Sequence, residues 1–152
     1  MKKYQLNKEN YIKEKQLHIE ILELDNILAL EYFTPNIQFL IDSFNKEYQW
    51  DGMFDIDEVK NRINKGHILF ILYYDNQPIG YVWFKELDNT TCFGYNLYVT
   101  KQIERPTDAP KWFYNNVSGI ILEKYNTIKV EIEDWNRVVF ELIESIGYKE
   151  IW

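Results

Sequence analysis

Between His67 and Thr100 the apolar positions fall into three runs separated by short polar breaks. His67–Tyr74 (HILFILYY) is almost continuously apolar, Asp75-Asn76-Gln77 interrupts it, and residues 78–87 (PIGYVWFKEL) resume it. Asn89-Thr90 separates that run from residues 91–100 (TCFGYNLYVT). Apolar runs of strand length bounded by turn residues predict three consecutive strands, and connections this short make each antiparallel to the one before. Earlier in the chain, residues 18–24 alternate Ile19 and Ile21 with Glu20 and Glu23, which predicts a first strand. Residues 26–33, with Ile27-Leu28-Ala29-Leu30, fit either an extension of that strand or the start of a helix. Thr34-Pro35 is a helix-start signal, followed by Ile37, Leu40, Ile41 and Phe44 at helical spacing. Asp55-Ile56-Asp57-Glu58 resembles a capping box for a second helix through Val59, Arg62 and Ile63, ended by Gly66.

The same pattern continues to the C-terminus. Asp108-Ala109-Pro110 opens a helix carrying Phe113, Val117, Ile120 and Ile121. Residues 127–133 form a strand with Ile128, Val130 and Ile132 on one face, and the helical crossover before it predicts that it lies parallel to residues 91–100. Asn136 caps a last helix bearing Val139, Leu142, Ile143 and Ile146; Gly147 ends it, and residues 148–152 have room for a short terminal strand. Residues 1–16 are polar and rich in Lys, Glu and Asn, which predicts a loosely held tail or a marginal helix. The order β-α-α-β-β-β-α-β-α-β belongs to the mixed α/β class with a largely antiparallel sheet, one domain over residues 17–152.

Composition narrows the function classes. The 152 residues are 46% hydrophobic, 17% aromatic and 27% charged, enough for a real core. A net charge of −7 argues against nucleic acid, whose affinity comes from Lys and Arg neutralising phosphates. No apolar run approaches the roughly 18 residues of a membrane span, so no membrane role is expected. The first seven residues have no apolar region behind their charges, so no signal peptide is expected. The single Cys92 excludes an internal disulfide and fits a reducing, cytoplasmic setting. Cys92, His18 and His67 lack metal-ligand spacing, so no metal is expected.

Three stretches carry a family resemblance. Residues 75–84 (DNQPIGYVWF) pair a turn with Ile-Gly and an aliphatic strand, residues 95–99 lead into a polar loop, and Asn136, Val139, Gly147 and Tyr148 keep a spacing around the last helix. Together, in this order, they resemble the GCN5-related N-acetyltransferase (GNAT) superfamily over residues 18–152. The resemblance implies a mixed sheet flanked by helices on both faces and acetyl-coenzyme A as acyl donor. It implies that the backbone of Leu97, Tyr98 and Val99 aligns the pantetheine and acyl group. The family's phosphate motif, Gln/Arg-x-x-Gly-x-Gly/Ala, falls on Arg105-Pro106-Thr107-Asp108-Ala109-Pro110. Arg105, Asp108, Ala109 and Asn136 are thereby the implied cofactor contacts. Bare backbone N–H groups and a helix N-terminus suit a pyrophosphate. Here Asp108 and Pro110 stand in the two glycine places. Pro110 removes an N–H, and the Asp108 carboxylate either repels phosphate or caps the helix, so coenzyme A binding is expected to be weak or lost.

The family's usual acid, a Tyr on the last helix, falls on Ile143, and residues 91–100 contain no carboxylate for a base. The remaining candidates are Glu86 in the hairpin and Glu131 or Glu133 on the next strand, with Tyr148 or Tyr95 as acid. Lys129, Glu131 and Glu133 share a face that either receives a cationic amine or is simply solvated. Two functions follow. One is an N-acyltransferase in which an amine on a small molecule or protein attacks the thioester directly, work done mostly by positioning and backbone polarisation. The other is a catalytically degenerate module that binds a partner protein or small ligand.

Overall fold

The computed structural model describes residues 1–12, 18–23, 30–48 and 55–151, with the backbone alone for Tyr95 and Asn96. The expectations for residues 13–16, for Ile27 to Ala29, for Leu24 and Trp152, and for the Tyr95 side chain lie outside the described residues. The fold is mixed α/β around a seven-stranded sheet in the order β2-β3-β4-β5-β6-β1-β7. Its strands cluster into two compact units through which β4 and β5 both pass.

The first unit comprises the described residues of His18–Trp83 and Asn96–Thr107. β2(His18–Leu22) pairs antiparallel with β3(His67–Tyr74), from His18 opposite Tyr73 to Leu22 opposite Leu69. Asp75 and Asn76 both have positive φ, 49° and 62°. That is the two-residue turn whose twist matches a hairpin, and it frees Gln77 to begin β4(Gln77–Glu86). β5(Thr91–Val99) returns antiparallel: the Thr100 amide donates to the Ile79 carbonyl at 2.7 Å.

Helix α1(Leu30–Tyr48) buries Ile37, Leu40 and Ile41 as expected, but it does not start at Thr34-Pro35. Leu30 already belongs to it and is buried, in line with Ile37 two turns on; tertiary burial overrides the local start signal. Pro35 sits in the second turn with its ring exposed, and the Thr34 hydroxyl donates to the Leu30 carbonyl at 2.7 Å. α2(Ile56–Asn64) begins at Asp55, whose side chain accepts from the Glu58 amide at 2.8 Å, as the capping signal predicts.

The second unit comprises the described residues of Met1–Leu17, Phe84–Tyr95 and Asp108–Trp152. α3(Ala109–Leu122) is the crossover that sets β6(Thr127–Ile132) parallel to β5, with Thr91 opposite Thr127, Cys92 opposite Ile128 and Phe93 opposite Lys129. α4(Arg137–Ile146) and β7(Lys149–Ile151) follow.

The N-terminus is not a tail. β1(Lys2–Asn7) runs antiparallel to β6, from Lys2 opposite Ile132 to Asn7 opposite Thr127, and its other edge carries β7. Tyr4 and Leu6 are buried between polar neighbours, a two-residue period that the Lys- and Asn-rich composition conceals. Beyond it, the Tyr11 hydroxyl donates to the Asn115 carbonyl at 3.0 Å, the Ile12 amide donates to the Ile146 carbonyl at 2.9 Å, and the buried Asn115 amide donates to the Ile12 carbonyl.

Two glycines admit this segment. A Cβ at Gly119 would lie 2.5 Å from the Tyr11 hydroxyl, and one at Gly147 (φ 119°) would lie 2.0 Å from the Asn10 carbonyl oxygen. Gly66 shares the left-handed backbone (φ 87°) but has nothing within 4 Å of a Cβ. Gly66→Ala is therefore expected to cost about 1 kcal/mol in urea unfolding, the backbone strain alone. Gly147→Ala should cost more than about 3 kcal/mol, because the strain is joined by a clash with backbone. Equal costs at the two positions would show that the N-terminal segment is not packed there.

Candidate functional site

At the C-terminal end of β5 the side chains of Tyr98 and Thr100 point to the same side, two residues apart, and both reach Glu47 in the last turn of α1. The Tyr98 hydroxyl donates to Glu47 Oε2, the Thr100 hydroxyl donates to the same oxygen at 3.3 Å, and the Lys101 amide donates to Oε1 at 2.8 Å. Tyr98 and Thr100 are buried, while Glu47 is half-buried. The Tyr98 ring that reaches the carboxylate packs with those of Phe44, Tyr48 and Tyr81, at centroid distances of 4.8 to 6.3 Å among the four. Burial pushes the Tyr81 hydroxyl far above its ordinary range, so it stays protonated.

The network continues into the loop. The Thr100 hydroxyl accepts from the Gln102 amide at 3.0 Å, and Arg105 folds back to donate from Nε to the Thr100 carbonyl at 3.0 Å and from its guanidinium to the Pro106 carbonyl at 3.2 Å. Leu97, Tyr98, Val99 and Arg105, all implied cofactor contacts, thus belong to one strand end and one loop, with two of Arg105's donors committed to closing that loop.

Asp108, Ala109 and Asn136 lie in the other unit. Asp108 is the N-cap residue of α3 and is exposed, but its carboxylate makes no capping hydrogen bond. The alternative that it occupies the helix N–H groups is therefore corrected: its backbone φ of −85° and ψ of 4° lie outside the extended conformation that aims a cap side chain at the helix. Ala109 is buried, and Pro110 sits in the first turn, where a missing N–H breaks no helical bond. Asn136 caps α4, its Oδ1 accepting from the Val139 amide at 3.4 Å.

The three expected catalytic side chains have separate surroundings. Glu86 accepts from the Tyr125 hydroxyl at 2.9 Å beside the β4–β5 turn. Glu131 is exposed on β6 directly opposite Lys3 of β1, and Lys129 opposite Gln5, an ordinary solvated face. Tyr148 is a core residue rather than an accessible acid: it is 2% exposed, and its hydroxyl meets the Ser118 hydroxyl at 3.0 Å beside the Tyr114 ring. Burial first, then the neighbouring Tyr114, holds its pKa well above the ordinary value, so the proton is not available near neutral pH. Ile143 is likewise buried.

Glu47 is the residue that sequence reading missed. Its signal was present: positions 37, 40, 44 and 47 make one helical stripe, and a carboxylate closes a stripe that is otherwise apolar. Among the described residues no three His, Cys, Asp or Glu side chains gather to hold a metal ion, and no helix is long and apolar enough to cross a membrane.

No family model matches the chain, and neither does any curated protein. Solved structures do. An aminoglycoside acetyltransferase from an uncultured soil metagenomic sample, in complex with sisomicin, aligns with a TM-score of 0.60 and 17% identity over 86% of this chain and 86% of that one. A ribosomal-protein-alanine N-acetyltransferase from Brucella melitensis biovar Abortus 2308 aligns with a TM-score of 0.63 and 16% identity over 90% and 94%. A GNAT-family protein from Novosphingobium aromaticivorans DSM 12444 covers 99% of this chain with 59% of its own, at a TM-score of 0.64 and 9% identity. At such identities the fold is what is shared: this chain has the fold of GNAT acetyltransferases.

Cys92 is fully buried, and burial, then the charge of Glu86, pushes its thiol from an ordinary 9.0 up to about 12. The folded state therefore holds this proton more tightly than the unfolded chain. Its contribution to stability is complete below pH 9.0 and is lost as pH rises towards about 12. A disulfide-exchange reagent at pH 8 is expected to label native protein at least ~100-fold more slowly than urea-unfolded protein, because only an exposed thiolate attacks. Fast native labelling would show that the Cys92 thiol is reached by solvent in the folded protein.

Proposed function

We propose that the chain is an acyl-coenzyme A-dependent N-acyltransferase that moves an acetyl group to an amine by direct attack on the thioester. The observation that carries the reading is β5. It pairs parallel with β6 at Thr91 to Phe93, and the same strand runs on to Val99 and into the loop that Arg105 closes. Leu97, Tyr98 and Val99 occupy that continuation, and an extended pantetheine arm is recognised through strand backbone groups of this kind. The shared fold supports the same reading.

In this reading Arg105, Ala109 and the first turn of α3 receive the phosphates, and the Asn136 amide contributes a contact. Bare N–H groups at a helix start favour an anion. Asp108 opposes it: an exposed carboxylate near a dianionic group costs about 1 kcal/mol or more, depending on salt. Pro110 withholds one donor, and Arg105 has spent part of its guanidinium on its own loop. Coenzyme A is therefore a substrate this loop holds weakly. The acceptor is an amine-bearing small molecule or protein, by analogy with the structurally similar aminoglycoside acetyltransferase and ribosomal-protein-alanine N-acetyltransferase.

Titration calorimetry with coenzyme A tests the reading. The expected affinity is about one to three orders of magnitude below that of a glycine-lined site, since each lost charged hydrogen bond costs ~1.5–3 kcal/mol. Asp108→Gly is expected to tighten binding about tenfold, an effect that shrinks as salt rises. Its carboxylate makes no capping bond, so the helix loses little. Tight binding by the unaltered chain would mean a different route to the phosphates. No binding by either form would favour the degenerate module, a reading that the buried Ile143 in the place of the family's acid already supports.

A further inference from the structure

Among the described residues, the carboxylate of Glu47 is held by three donors and by no counter-ion. Tyr98, Thr100 and Lys101 supply a phenol, an alcohol and a backbone N–H. Among the described residues no Lys, Arg or His forms an ion pair with it. A half-buried carboxylate without a paired cation keeps a strong attraction for one. Glu58 pairs with Arg62 at 3.1 Å, Asp55 caps α2, and Glu20 pairs with His18. Phe44 and Tyr48, whose rings pack against Tyr98 and are less buried than it, add faces that suit an alkylammonium group. Tyr48 is 52% exposed, so the cluster opens to solvent at its edge.

We propose that Glu47 receives the ammonium group of the acceptor and takes its proton, with Tyr98 as its hydrogen-bonded partner at the end of β5. The proposal rests on the acyltransferase reading and supplies the base that β5 itself lacks. An amine arrives as R–NH3⁺ and gives one proton to a Glu47 oxygen, which leaves a lone pair on nitrogen. That pair forms the bond to the acyl carbon while the carbonyl electrons move onto oxygen. They return as the carbon–sulfur bond breaks, and the sulfur leaves with the bonding pair. The nitrogen loses its surplus proton to the sulfur, giving amide and thiol, and Glu47 passes its proton to solvent. Among the described residues, the proton-bearing groups linked to this carboxylate are Tyr98 from β5 and Thr100 after it, with Tyr81 from β4 and Tyr48 on α1 packed on the Tyr98 ring and Arg62 from α2 acting on Tyr81.

The test uses the whole chain with acetyl-coenzyme A and three acceptors: a polyamine, a lysine peptide and an aminoglycoside. Glu47→Gln keeps the side-chain shape and an oxygen for the Lys101 amide, but it cannot take a proton. It is expected to lower kcat on the order of 10²–10⁴-fold and to abolish the acidic limb of the kcat/KM profile. Coenzyme A affinity by calorimetry should stay within about twofold, where a tenfold change would be 1.4 kcal/mol. Tyr98→Phe should lower kcat less and keep the acidic limb. If Glu47→Gln does not fold, as judged by near-ultraviolet circular dichroism, Glu47→Asp carries the test. The shortened carboxylate should cost more than tenfold in kcat at unchanged coenzyme A affinity, and an unchanged kcat overturns the proposal. Full activity or an unaltered pH profile in Glu47→Gln also overturns it. So does a parallel loss of coenzyme A affinity, which would make Glu47 a strap for the loop only. Unaltered protein that binds coenzyme A and acetylates none of the amines overturns the acyltransferase reading and the role of Glu47 with it.

Discussion

The parallel pairing of β5 with β6 is the constraint on which the candidate site depends. Parallel neighbours cannot be joined by a tight turn, so the chain leaving β5 has to travel back before β6 begins. Helix α3 is that return, and the connection into it leaves from the carboxyl end of β5. Loops at the carboxyl ends of strands are where open α/β sheets gather their ligands. In this chain the strand end bears Tyr98 and Thr100, and the loop after it is closed by Arg105 folding back onto the Thr100 carbonyl.

What separates this strand end from other polar clusters is how far the protein itself completes it. The buried hydroxyls of Ser118 and Tyr148 bond each other, and Ser118 donates onward to the Tyr114 carbonyl, so that group needs nothing from outside. Asp88 accepts from the backbone and hydroxyl of Thr90, which lowers its pKa and fixes the β4–β5 turn. Glu47 has its hydrogen bonds but, among the described residues, no ion-pair partner. A half-buried carboxylate with donors on both oxygens is pre-oriented, and orientation is most of what amine attack on an activated thioester requires.

The N-terminal strand shows how composition misleads where geometry does not. Lys2, Lys3, Gln5 and Asn7 make the segment polar on average, yet Tyr4 and Leu6 bury fully when it lies between β6 and β7. The requirement for Gly at 147 comes from this packing: the backbone there is left-handed, and the space a side chain would take is filled by the Asn10 carbonyl.

The sequence by itself determined the elements whose signals are local. The β3–β4–β5 runs, the Asp55 cap of α2, the Asn136 cap of α4, and the order that places β6 parallel to β5 were all legible, because periodicity, capping and short turns act within a few residues. The expected fold rested on that order, and it is the fold shared with the solved acetyltransferase structures. Only the tertiary structure decided that residues 2–7 form an inner strand, that α1 takes in Leu30 ahead of Pro35, and that Tyr148 is core. Each depends on what lies across a sheet or under a helix, which no local window contains. The same holds for Glu47: its place on the apolar stripe of α1 is visible in the chain, but its partners at residues 98, 100 and 101 are supplied by folding alone, because hydrogen bonds between side chains so distant in sequence exist only once strand and helix have packed.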